Sequence, residues 1–473
     1  MRTILTLLWV WAAATVTVGA AEFPAPRFVG DPARLGYGVQ RTMRRLVEST
    51  PTHRNTVRVL FYGQSITDQA WWKIVAEDLR ARFPNANLII ENRSLPGFAS
   101  QLLVKTAETD LYPFQPDLLI FHVYGAHDKY EDIIRRVRER TTAEILLQND
   151  HVTKPADFTE ETDPAKLPPA GRHWDAFMNH NWLPAMARKY GAELCDQRAV
   201  WKAYLRDNQL APSALLRDDV HLNAHGEFLM AECVKACLRR NPAFDPAPAE
   251  AWVRTLAVGR ELQWADGKLR VEFTGNRVDL IARPAASAGR PLGVTLDGRK
   301  PSQIPELYGF TRALTTPPGK WPVRSPIIAP VGAEKPLVVE EWTLAVRRTD
   351  AEGKHFTFQL SGSRTGPDGE GRSDERFISP SGRVVLEPAD WNVAYAMSLS
   401  GVQPVPEQFT ARWRAELRGV DEWTNYAGGN PAMEESVTLA QGLPNTRHVL
   451  ELTGGPEAGL AGVRVYHPAG GER

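Results

Sequence analysis

Between residues 57 and 240, short apolar runs alternate with stretches whose apolar residues recur at helical spacing. The runs cover 57–62, 88–90, 117–123 and 144–147, with a weaker one at 192–194. Between them Ala70, Trp71, Ile74, Val75 and Leu79 trace one helix face, and Ile133, Ile134 and Val137 trace another, whose solvated side is the charged stretch 131–140. Val/Ile/Leu-rich runs separated by helices predict βαβ units, hence an α/β domain whose parallel sheet is covered on both faces. The pattern changes after the Pro/Ala-rich stretch 241–248. Period-2 alternation broken by Gly, Asp and Pro then occupies 269–273, 277–281, 337–346, 355–360, 409–417, 448–452 and 463–466, which predicts an all-β antiparallel sandwich. Inside it, the Gly- and Ser-rich stretch 361–374 reads as a flexible hairpin tip. The expected organisation is 1–20 a leader, 21–55 a polar cap segment whose docking partner the pattern leaves open, 56–242 the α/β domain and 243–473 the sandwich.

The start of the chain changes the picture by setting a compartment. Residues 1–20 open with Arg2, continue in an apolar stretch from Ile4 and end in Val18, Gly19 and Ala20, the form of a secretory signal peptide cut after Ala20 or Ala21. An uncleaved membrane anchor is the alternative, the apolar stretch being about 17 residues, the short edge of a spanning helix. No later stretch approaches ~18 apolar residues, so export to the periplasm or beyond, without stable membrane insertion, is expected. Lys+Arg 56 against Asp+Glu 56 provides no electrostatic footprint for nucleic acid, and none is expected as a partner. Cys195, Cys233 and Cys237 leave at least one thiol unpaired; they read as small buried apolar residues or as one disulfide from Cys195 to the last helix. Oligomeric state has no signal in the sequence.

Candidate chemistry collects where the predicted strands end. The first run closes on Gly63-Gln64-Ser65-Ile66-Thr67-Asp68, with a helix directly after. A serine there stands at the carboxyl edge of the sheet and at a helix start, where free N–H groups favour developing negative charge; alone, it is equally a helix cap. The fifth position is Thr67, so this is not the Gly-x-Ser-x-Gly elbow of α/β-hydrolases. Far along the chain, Asp218 stands three residues before His221, ahead of the last helix. Such an Asp accepts one imidazole N–H and leaves the other ring nitrogen to take a serine proton; a capped turn is the alternative, and Asp219 is the rival acid. Two turns share the same edge: 91–97, with Asn92 and Gly97, and 124–128, with Gly125 and His127. Each offers a donor where an oxyanion would form. His122, inside a strand, reads as a satisfied core residue, whereas His151 and His173 flank the long Pro-rich loop 151–172 and are candidate substrate contacts. There is no His-Glu-x-x-His, Cys-x-x-Cys or Gly-rich phosphate loop, so neither metal nor cofactor is expected.

Together these blocks resemble the SGNH, or GDSL, hydrolases. Gly63-Gln64-Ser65 is similar to the family's first block, with Gln64 where Asp is usual; Asn92 and Gly97 fall in the second; Gly125-Ala126-His127-Asp128 is similar to the third, with His127 in place of Asn; Asp218 and His221 are similar to the last, followed by Asn223 and Gly226. The resemblance spans residues 56–240 and implies a flavodoxin-like three-layer α/β/α fold of about five parallel strands. It further implies Ser65 as nucleophile, His221 as base oriented by Asp218, and an oxyanion hole from the backbone N–H groups of Ser65 and Gly97 with His127 as a third donor. An exported domain of this kind joined to a β-sandwich, jelly-roll-like in its tail at 448–468, resembles a bacterial carbohydrate esterase that removes O-acetyl groups from a polysaccharide through an acyl-serine. An acylated carbohydrate is then the expected partner. The sandwich holds seven of the 14 Trp, of which Trp413 and Trp423 are candidate platforms for sugar rings. A lipid or aryl esterase, a sugar O-acyltransferase and a catalytically silent glycan-binding protein are the alternatives.

Overall fold

The computed structural model describes residues 23–167, 174–244, 248–283, 289–329, 331–426, 430 and 432–470. The leader expected at 1–20 and His173 lie outside them.

Strands β1 (Thr56–Gly63), β2 (Asn87–Asn92), β3 (Leu118–His122), β4 (Glu144–Gln148) and β5 (Glu193–Cys195) form a parallel sheet in the order β2-β1-β3-β4-β5. The helices are α1 (Gln40–Val47), α2 (Ser65–Asp68), α3 (Trp71–Arg82), α4 (Ser100–Asp110), α5 (His127–Arg140), α6 (Trp174–Phe177), α7 (Leu183–Tyr190), α8 (Gln197–Asp207) and α9 (Ala224–Cys237). Alternation along the strands feeds two cores. Val57, Val59, Phe61, Leu118, Ile120 and Leu146 face α1, α3, α8 and α9, meeting Met43, Trp71, Val75, Trp201 and Leu229. Leu60, Tyr62, Leu119, Phe121, Ile145 and Leu147 face α4, α5 and α7, meeting Leu103, Tyr130, Ile133 and Leu183. Each such buried side chain contributes about 1.5–3 kcal/mol, and β3 and β4 are buried at every position. This is the doubly wound order with its switch point between β1 and β3, where ligands bind outside the carboxyl ends of the strands.

The segment before β1 docks at the opposite, amino end. The Glu193 carboxylate accepts the N–H groups of Gly36 and Gly38, both at 2.8 Å, and Glu144 accepts those of Arg41 and Thr42 at 2.9 and 2.7 Å. The carboxylate that opens β5 thus receives donors from the turn before α1, and the one that opens β4 receives them from the start of α1, the end of a helix that favours negative charge. Ion pairs from Arg44 to Glu250 (2.6 Å) and from Arg45 to Glu434 (3.6 Å) reach onward into the β region.

The rest of the chain is antiparallel. One six-stranded sheet runs Glu422–Trp423, Leu292–Leu296, Ser436–Thr453, Lys268–Ala282, Leu460–Tyr466, Val253–Ala257. Its two long strands change register between Gln441 and Thr446, and bulges of this kind bend a sheet. Residues 268–275 pair with 446–453 on one side of the break, and 277–281 with 436–441 on the other; both halves enclose a single apolar cluster that includes Leu269, Leu280, Leu450 and Val463. Between Leu307 and Arg418 the chain leaves this sheet to build a second one: Leu314–Thr316, Phe409–Leu417, Glu340–Thr349, Phe356–Gly362, Gly366–Arg372, with Tyr308–Phe310 also pairing with Phe409–Leu417. Its inner face, with Trp342, Leu344, Phe358, Leu360 and Trp413, forms a separate cluster with Ile327 and Ile328 and with Val393, Ala396 and Met397 of the helix Val393–Leu399. The Arg418 N–H donates to the Leu307 carbonyl at 2.7 Å, so this insertion begins and ends at one place. The stretch 361–374, expected as a flexible tip, instead contains the strand Gly366–Arg372, paired with Phe356–Gly362 across a short turn. Among the described residues no helix is long and apolar enough to cross a membrane.

Candidate active site

β1 turns directly into α2, so that Ser65 is the first helical residue at the carboxyl edge of the sheet. His221 Nε2 lies 2.9 Å from Ser65 Oγ, and its Nδ1 lies 2.9 and 3.1 Å from the Asp218 carboxylate oxygens. Asp218 also accepts the backbone N–H groups of His221 (2.7 Å) and Val220 (2.9 Å). Those two backbone donors, with the imidazole behind them, hold the Asp218 carboxyl at about 2, so it stays a carboxylate wherever a histidine titrates. Asp219, the rival acid, makes no bond to His221. Gln69 draws the two distant segments together: its Oε1 accepts the Leu222 N–H at 3.0 Å and its Nε2 donates to the Leu222 carbonyl at 2.8 Å.

Asn92 ends β2 and uses its amide on backbone. Its Nδ2 donates to the Thr67 carbonyl at 2.7 Å and its Oδ1 accepts the Ser94 N–H at 2.9 Å, which joins the serine turn to the Gly97 loop. Gly97 has φ of +79°, a conformation side chains disfavour, and a Cβ there would lie 2.8 Å from a Leu399 methyl. Among the described residues, neither the Ser65 nor the Gly97 N–H has an acceptor. Two residues of the insertion brace these turns. Tyr395 donates its hydroxyl to the Gly97 carbonyl at 2.7 Å. Arg324 donates from both terminal nitrogens to Asp68, at 2.6 and 2.5 Å, and to the Ser94 carbonyl at 3.2 Å. Gln64 accepts the Tyr124 N–H at 2.9 Å and so ties in the third turn, where a Cβ on Gly125 would meet Ser100 Oγ at 2.7 Å.

The structure does not bring His127 to the site. Its ring stacks on Trp174 (4.8 Å between centroids, 9° between planes) and Trp182 (4.7 Å, 29°) and takes no part in the pocket around Ser65. Burial among these rings lowers its pKa, and its Nε2 has no partner among the described residues. The third donor implied by the resemblance is therefore corrected to a stacked histidine, captured by two tryptophans from beyond the long loop.

The pocket holds about 420 Å³ beside Ser65 and His221 and is walled by His122, Tyr124, Asp150, His151, Thr153, Asp157, Asp175 and Arg198. His122 is buried as a core residue would be, yet it faces this pocket, with its Nε2 2.8 Å from Asp150 Oδ1. Burial pushes the Asp150 carboxyl up, but the His122 bond and the charges of His122, His151 and Arg198 bring it below the usual value. His151 bonds the Val220 carbonyl through Nε2 at 2.8 Å, and burial brings its pKa down to about 4. Sequence reasoning missed the His122–Asp150 pair, although His122 ends β3 and Asp150 follows β4, adjacent strands at one edge. Trp413 and Trp423, the candidate sugar platforms, are buried in their sheets' cores. Trp321, three residues before Arg324, is 89% exposed. Cys195, Cys233 and Cys237 are buried free thiols.

No protein-family model and no curated relative matches the chain. Among solved structures it is similar to a protein described as a GDSL-like lipase from Parabacteroides merdae (20% identity, 40% of this chain and 100% of that one, TM-score 0.32). It is also similar to an acetylxylan esterase from Geobacillus stearothermophilus (19% identity, 40% and 96%, TM-score 0.32). A two-domain esterase active on acetylated mannans is similar over 91% of this chain and 95% of its own (14% identity, TM-score 0.33).

Proposed function

We propose that the protein is an exported serine esterase of the SGNH type that removes short acyl groups, acetyl above all, from a carbohydrate. The observation that carries this reading is the unbroken chain Ser65 Oγ to His221 Nε2 to Asp218, each link 2.9 Å, at the carboxyl edge of a parallel sheet. His221 takes the Ser65 proton as Oγ attacks the ester carbonyl, and the N–H groups of Ser65 and Gly97 receive the oxyanion. Collapse expels the sugar hydroxyl, which takes its proton from His221. The same imidazole then activates water to release the acid from the acyl-serine.

The pocket supports a sugar ester over a lipid. Among the described residues Ile66 and Val220 are its only aliphatic lining, too little to sheath a long acyl chain, whereas Asp150, Asp175 and Thr153 offer acceptors to hydroxyl groups. The exposed Trp321 leaves an apolar indole face in solvent, the kind of surface on which a pyranose ring stacks. The test is hydrolysis of p-nitrophenyl acetate, butyrate and octanoate by residues 21–473, beside Ser65→Ala and Asp218→Asn. Rates should fall with chain length, vanish in Ser65→Ala and drop ~10⁴-fold in Asp218→Asn. A preference for octanoate would return the lipid esterase. Equal inactivity of the parent and Ser65→Ala on acetate esters and on acetylated polysaccharide would return the silent glycan-binding protein.

A further inference from the structure

A cleft of about 1020 Å³ opens between the α/β domain and the outer face of the inserted sheet. Arginines dominate its wall: Arg58 and Arg93 on one side, Arg312, Arg324, Arg412, Arg414 and Arg418 on the other, against the carboxylates Asp110, Glu341 and Glu416. Four guanidiniums are committed, Arg93 to Glu91 (2.8 Å), Arg312 to Asp110 (2.7 Å), Arg324 to Asp68 (2.5 Å) and Arg414 to Glu416 (2.6 Å). Arg58, Arg412 and Arg418 have no carboxylate within 4.0 Å among the described residues. Arg58 uses only its Nε, on the Phe114 carbonyl at 3.0 Å, and lies over the Phe114 ring. Burial, reinforced at Arg58 by the charge of Arg277, holds the Arg58 and Arg418 guanidiniums below their ordinary pKa; Asp117 and Glu91 near the first, and Glu416 and Glu108 near the second, do not make up the loss. Proteins seldom leave partly buried charge uncompensated, because desolvation without a partner is costly. An anion in the cleft would supply the missing partner. The cleft also adjoins the serine turn, since Asn92 and Arg324 in its wall bond the Thr67 carbonyl and the Asp68 carboxylate.

We propose that this cleft binds the anionic groups, uronate carboxylates or sulfate esters, of an acidic glycan whose acyl ester enters the Ser65 pocket. The proposal rests on the esterase reading and narrows its substrate class to charged polysaccharides. Arg58, Arg412 and Arg418 pair with the anions, and the committed arginines hold the wall that presents them.

Isothermal titration of the full chain tests it, with tetragalacturonic acid, a sulfated galactose tetramer, neutral xylotetraose and a single-stranded DNA tetramer as probes. At least one acidic saccharide should bind, its affinity falling as salt rises, and the neutral tetramer should bind at least ~10-fold more weakly. Arg412→Gln, on an exposed strand position, and Arg418→Gln should each weaken the acidic saccharide ~10-fold with the thermal melt preserved in Arg412→Gln. The carboxylate and sulfate arms identify the anion. Equal binding of the neutral saccharide, unchanged affinity in both variants, or tighter binding of the DNA overturns the proposal. Hydrolysis of p-nitrophenyl acetate by the unaltered chain is read in parallel. Activity without acid-dependent binding overturns the cleft alone, whereas inactivity there and on acetylated polysaccharide overturns the esterase reading beneath it.

Discussion

A stacked imidazole contributes through contact, an oxyanion donor through one N–H aimed at a reacting atom, and the two fail differently when removed. His127→Ala should therefore lower stability by about 1–2 kcal/mol through lost aromatic contact and leave kcat on p-nitrophenyl acetate within about threefold, against the ~10²–10³ expected for a lost oxyanion donor. Chemical denaturation and steady-state kinetics on one preparation separate the two. His151 behaves differently again, because burial holds its pKa at about 4 against an ordinary 6.5. As pH falls from 6.5 to 4, the unfolded chain gains a proton that the folded chain refuses, so stability drops across that window, by at most about 3 kcal/mol, and levels off below it. Calorimetric melts across the window should show the fall, and His151→Gln should flatten it. The meeting of Ser65, Asp218 and His221 was legible because turn position and a three-residue spacing are local properties. Gln69, Arg324 and Tyr395 were not, since their partners stand 153, 256 and 298 residues away and nothing near them in the chain marks the contact.

Elements hold the site by the ends of strands and the turns after them. The Asn92 amide is the splice between the turn after β1 and the loop after β2. Asn92→Ala should loosen Ser65 against Gly97, lowering kcat ~10-fold with little change in KM, because a misplaced donor is felt chiefly in the transition state. A raised KM with kcat intact would assign Asn92 to ground-state binding instead. The parallel sheet was readable because β3 and β4 are apolar on both faces, a pattern only a doubly covered sheet satisfies. Alternation in the later strands announced sheets with one buried face, but alternation does not say what covers that face. The division into two clusters, one for each six-stranded sheet, was therefore invisible along the chain.

At the scale of the molecule, the α/β domain carries Ser65, Asp218 and His221, and the insertion braces the turns around them. Arg324→Gln and Tyr395→Phe remove the two braces, on Asp68 and on Gly97. Each should lower kcat about 3–10-fold at nearly constant KM, and the double variant should fall short of the product of the two, because both act on one pair of turns. Strict multiplicativity would make the braces independent.

The bond between the Arg418 N–H and the Leu307 carbonyl gives the insertion a single doorway. A segment whose two ends already touch can be exchanged by recombination without re-registering the strands on either side. Inheritance can then trade one outer sheet for another above an unchanged Ser65 turn, and whatever the outer sheet binds travels with the cassette. The trade has one condition: each newcomer must bring its own cation for Asp68 and its own donor for the Gly97 carbonyl, or the two turns beneath it slacken.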